Sequence, residues 1–148
     1  MQPLSIAPEQ IASEHIGMII TRDQPTEGQT FRKGHAITGE DLTVLATSAQ
    51  RIHAVRLDAT DVPERIAVPR IAEAIRGEHT VLQSMVQGRI NIHSSVRGLL
   101  RIDTKALLNL NRDPDIGVFT QYDGVAVNAD SMIAGVTIAP VAMDGDRL

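Results

Sequence analysis

The sequence predicts an α+β chain, with a mixed N-terminal lobe of short helices over residues 1–77 and a glycine-punctuated, β-rich lobe with one short helix over residues 78–148. Three observations predict it. Apolar residues at helical spacing are confined to short stretches, most of them before residue 78. Beyond residue 78 the pattern changes to short alternating runs, the period of a half-buried strand. Those runs are broken by Gly88, Gly98, Gly117, Gly124 and Gly135.

Taken in order, Leu42, Leu45, Ala46 and Ala49 share one helical face, and Thr38 with Asp41 makes a near capping box, so a helix is expected over about 39–49. Ile52, Ala54 and Arg56 then alternate with His53, Val55 and Leu57, which predicts a strand. Asp61 and Glu64 give a second cap signature ahead of the stripe Val68, Ile71, Ala72, Ile75, with Gly77 as a natural left-handed stop. Pro69 has no N–H and clashes one turn back, which predicts a kink or two short helices there. Glu78 to Gln87 is the candidate lobe boundary.

In the second half, strands are expected over 89–94, 99–103, 116–122, 125–127 and 133–138. A helix over 104–110 carries Leu107, Leu108 and Leu110, with Asp103 or Thr104 as its cap and Asn111 as a left-handed exit. Asp123-Gly124 between two runs predicts a type I′ hairpin turn.

Composition narrows the function. The apolar fraction of 43% includes only Phe31, Phe119 and Tyr122 as aromatics, so the core must be aliphatic. Without stacking platforms, and with a net charge of −4, a nucleic-acid partner is not expected. No apolar run approaches the ~20 residues of a membrane span, no basic-then-apolar leader opens the chain, and a cytoplasmic location is expected. No cysteine is present to build a disulfide framework or a thiolate metal site. The histidines His15, His35, His53, His79 and His93 are scattered without ligand spacing, so no metal is expected. Glycine-rich nucleotide loops and the nucleophile-elbow motif are also missing. Asn91 and His93 share one face of their strand, as polar residues on an outer sheet face do.

The densest candidate chemistry is Arg32-Lys33-Gly34-His35. The glycine permits a tight turn, two cations and an imidazole surround it, and the start of the next helix adds a positive dipole end, which together suit an anion. A plain structural corner with solvated cations fits the same residues, and both readings stay open.

Three stretches, FRKGHAITGEDLTVL, GRINIHSSVRGLLRIDTKALLNLN and IGVFTQYDGVAVNADSMIAGVTIAPV, together resemble the N-terminal half of molybdopterin-binding proteins related to the molybdenum-cofactor biosynthesis molybdotransferases. The resemblance covers nearly all of the chain and rests on the order of its parts. These are a basic Lys-Gly-His turn before a short helix, a Gly-Leu-Leu-x-x-Asp segment into a Leu-rich helix ending in Asn, and an Ala-Gly strand closing on proline. It implies molybdopterin, or a related anionic ligand, touching Arg32, Lys33, Gly34 and His35. Asp103 and Asn111 also match the pattern. It further implies a homodimer and a following α/β domain, whose threonine-glycine-acid motif and glycine-rich, serine-containing loop do not occur here. An accessory module that is not an enzyme by itself is therefore expected, either part of a longer chain or free-standing. Pro69 and Ser48-Ala49 depart from the family pattern. Residues of about 30–60 also resemble SAF-type domains, leaving as alternatives a subunit of a sugar-acid enzyme or a module whose β edges pair with a partner.

Overall fold

The computed structural model describes residues 1–148 and has the α+β content the sequence predicts. It divides into two units, Met1–Asp61 with Asp144–Asp146 and Val62–Met143 with Arg147–Leu148. The division falls at residue 61 rather than 77, because the helix that follows residue 63 buries its apolar face in the second unit's core.

The first unit comprises β1 (Gln2–Ile6), β2 (Ile19–Ile20), β3 (Gln24–Pro25), β4 (Thr30–Phe31), α1 (Asp41–Leu45) and β5 (Ile52–Arg56). β5 is the central strand, with β1 and β2 antiparallel on either side. Ile52 and Ala54 face a core of Ile6, Met18, Ile20, Phe31, Ile37 and Leu45. Val55, on the opposite face, lies between Pro3 and Ile19 and is buried as well.

α1 is shorter than the expected 39–49. Thr47 N and Ser48 N bond three residues back, to Val44 O and Leu45 O, so the chain tightens out of α geometry. The Thr47 hydroxyl competes for the same Val44 carbonyl at 2.8 Å. The Ser48 side chain is drawn inward, where Gln24 Nε2 donates to its Oγ at 2.7 Å. Gln24 is only 1% exposed, so this bond satisfies a polar group that would otherwise be costly to bury.

The second unit opens within β6 (Asp61–Pro63), at Val62, and continues with α2 (Glu64–Ile75), β7 (Thr80–Leu82), β8 (Arg89–Ser94), β9 (Gly98–Leu99) and α3 (Thr104–Leu110). It closes with β10 (Ile116–Thr120), β11 (Ala126–Val127), β12 (Met132–Ile138) and β13 (Ala142–Asp144). An antiparallel sheet in the order β10-β12-β8-β7 turns Ile90, Ile92, Val118 and Val136 into one core. α2 packs on β8 and β12, and α3 on β10.

The break into two short helices expected at Pro69 does not occur: α2 is one helix, in which Pro69 leaves the Arg65 carbonyl without its helical donor while Ala67, Val68, Ile71 and Ala72 bury one face. Asp61 does not cap it, because its Oδ2 accepts from Asp58 N and sits 2.8 Å from the N-terminal ammonium. Gly77 is not a left-handed stop, since α2 ends when Arg76 turns extended, and the positive φ falls on His79 at 57°.

Asp123-Gly124 is not a type I′ turn. Only Gly124 has positive φ, at 78°, and the flanking β10 and β11 pair with β12 and β9 rather than with each other. Gly124 N donates to Leu100 O, and the Asp123 carboxylate takes Ile102 N at 2.7 Å. The turn is therefore clamped to residues 100–102, and the strand expected over 99–103 shrinks to Gly98–Leu99.

β8 and α3 fall on their expected residues. On the outer face of the sheet, the Phe119 ring lies across Gly135, where an added Cβ would overlap its Cζ.

Candidate functional site

The basic turn is set by the hairpin before it. β3 and β4 pair Gln24 with Phe31, and extending that register places Asp23 opposite Arg32. The carboxylate sits there, with Arg32 Nη1 donating to Asp23 Oδ2 at 2.6 Å and Lys33 N donating to Asp23 Oδ1 at 2.9 Å. The Lys33 backbone bond, then the Arg32 guanidinium, hold the Asp23 carboxyl below its ordinary value. Gly34 occupies the left-handed region at φ +88°, and its N–H donates to Ile20 O at 2.8 Å, fastening the turn to β2.

His35 points the other way. Its Nε2 lies 2.7 Å from Asp41 Oδ2, and its ring packs tilted against Phe31 with centroids 5.0 Å apart. The same Asp41 oxygen accepts from Thr38 N and Thr38 Oγ1, both at 2.8 Å. Burial works to raise the Asp41 carboxyl, but the bonds from His35 and Thr38 outweigh it and keep the group below its ordinary value. The near capping box of the sequence is therefore half realised: Asp41 reaches back to Thr38, while the position ahead of α1 makes no side-chain cap.

The structure brings Arg32, Lys33, Gly34 and His35 into one turn, with each acid drawing part of it a different way. An arriving anion has to take Arg32 from Asp23, or share it. Asp23 escaped sequence reasoning because it lies nine residues upstream, and only the hairpin register would have located it.

Asp103 and Asn111 lie in the other unit and serve α3. Asp103 Oδ1 accepts from Lys105 N and Ala106 N at 3.1 and 2.9 Å, a full N-cap. Asn111 is not a left-handed exit, having φ −74° and ψ 0°. Its side-chain amide instead gives Nδ2–H to Val118 O and accepts Val118 N, each at 2.8 Å.

No group of three histidine, aspartate or glutamate side chains converges to hold a metal ion, and no helix is long and apolar enough to cross a membrane. Comparison with protein-family models, with curated proteins and with solved structures finds no match to this chain.

Proposed function

We propose that this chain is the accessory N-terminal module of a molybdopterin-binding protein related to the molybdenum-cofactor molybdotransferases, non-catalytic by itself, cytoplasmic, and homodimeric. The observation that carries the reading is the resemblance of the three stretches, each of which takes in consecutive elements of the fold. The first is the Lys-Gly-His turn with α1, the second is β8 through the capped α3, and the third is β10 through β12. Their order along the chain supports a shared module more than scattered identity would.

In this reading the anionic end of molybdopterin touches Arg32, Lys33, Gly34 and His35. Asp23 then acts as the competing carboxylate that the ligand displaces from Arg32. An exposed pair of this kind is screened by solvent and contributes little, so a multiply charged ligand can displace it.

The test is calorimetric titration with a pterin phosphate at low and high salt, on the wild type and on Arg32→Ala with Lys33→Ala. Affinity is expected to fall at least tenfold in the double variant, about 1.4 kcal/mol. Added salt is expected to weaken wild-type binding. Binding that ignores both changes removes the turn from the site. A response to hexonates in place of the pterin phosphate favours the sugar-acid alternative. Molybdate insertion by the 148-residue chain alone would overturn its non-catalytic role.

A further inference from the structure

The second unit contains a cleft of about 970 Å³ between the end of α2, the inner face of α3 and the sheet. Small-molecule sites typically span ~300–1,000 Å³, so this one is of a size to admit a ligand. Ile92, Val118 and Ile133 form its floor, and Ile75, Leu107 and Leu110 its walls. The floor residues are buried, whereas the wall residues are only partly covered and turn apolar surface toward the opening. No Phe or Tyr lines it, so a flexible aliphatic body suits it better than a stacked ring.

Charge at the mouth supplies the second half of the argument. Arg76 and Arg101 both line the cleft, and each is held through Nε by a carboxylate that does not: Glu73 at 2.8 Å and Asp123 at 3.2 Å. Neither guanidinium makes a protein hydrogen bond through its terminal amino groups. Two acids also line the cleft. Asp103 Oδ1 is engaged by two N–H groups at the start of α3, while Glu78 is an exposed charge on the turn after α2. The neighbouring His79 holds positive φ, with its carbonyl accepting Ser95 N, which fixes this turn against the end of β8.

We propose that the cleft binds an aliphatic carboxylic acid, its chain on the Ile and Leu floor and its carboxylate on the free amino groups of Arg76 and Arg101. A guanidinium fork matches the two oxygens of a carboxylate and discriminates against an alcohol of equal length. Glu78 opposes the head group and limits the affinity. This site belongs to the second unit and the Lys-Gly-His turn to the first, and the proposal stands or falls independently of the molybdopterin reading.

The experiment titrates the full chain with octanoate, and separately with octan-1-ol, below micelle formation, by calorimetry and by methyl NMR. Octanoate is expected to bind saturably with one molecule per chain and to shift the Ile92 and Ile133 methyl signals, with octan-1-ol at least tenfold weaker. Arg76→Gln with Arg101→Gln brings octanoate down to the level of the alcohol, and retained alcohol binding shows that this variant is folded. Glu78→Gln tightens octanoate at least twofold and leaves the alcohol unchanged. The proposal is overturned by absence of saturation, by equal binding of acid and alcohol to the wild type, or by methyl shifts confined to residues outside the cleft.

Discussion

The two units use the same aliphatic material and reach different degrees of closure. In the first, Ile20, Leu45 and Ile52 are fully buried, and the polar groups beside them answer one another, Gln24 with Ser48 and His35 with Asp41. In the second, α2 settles on β8 and β12 while α3 settles on β10, so the two helices cover different strands. Ile75, Leu107 and Leu110 are left half-covered along the space between them. The second unit also encloses Val68 and Val136 completely, so the difference lies at the cleft and not in the composition of either core. What decides is whether the connections let neighbouring elements cover the same strands.

The sharpest way to break this comparison is to remove volume from each unit in turn. Ile20→Ala is expected to cost about 2–5 kcal/mol, because a fully enclosed site cannot collapse onto the lost methyls. Urea denaturation followed by circular dichroism measures it. A loss under 1 kcal/mol would mean that the first unit is as loosely filled as the second.

Next in size is Gly124→Val. At φ +78° a β-branched residue is strained even though nothing lies within 4 Å of an added Cβ, and about 1–3 kcal/mol is expected. An unchanged midpoint would show that the loop relaxes freely, making the second unit softer still.

Asp41→Asn is expected to cost about 1 kcal/mol near neutral pH, by weakening the bonds to His35 and Thr38. Because the folded carboxyl lies below its ordinary value of 3.8, its contribution is complete above that value and is lost as the pH falls through the lowered one. The variant's stability curve is therefore expected to be flatter than the wild type's on the acid side. Identical acid limbs would mean that His35 and Thr38 do not hold the group.

The smallest effect is expected from Leu107→Ala, below about 1 kcal/mol, since it widens a space already open to water and creates no sealed cavity. If it matches Ile20→Ala, the two units are equally closed and the contrast fails.

Legibility in the sequence followed the range of the interactions involved. α3 was readable to the residue because its cap, Asp103, lies beside it, and β8 because its alternation is uninterrupted. α1 was overestimated where Ser48 leaves the helix for Gln24, twenty-four residues upstream. The Asp-Gly turn was misassigned because its partners, Leu100 and Ile102, lie outside the local hairpin pattern. Of the candidate site, the turn at Gly34 could be read, but the carboxylate that engages Arg32 could not. The cleft was invisible for the same reason, since its lining comes from several separate segments between residues 74 and 134.

The side chain of Asn111 has a consequence for how copies of this protein meet. β10 is flanked by β12 on one side only, and the Val118 peptide turns its N–H and C=O to the other. The Asn111 amide occupies both with the donor and acceptor that a neighbouring backbone would bring. An incoming strand from another molecule finds that position already filled by a decoy peptide group, so runaway sheet extension is discouraged along this margin. The chain achieves this without a proline or a charge on β10, whose sequence Ile-Gly-Val-Phe-Thr would otherwise invite such stacking.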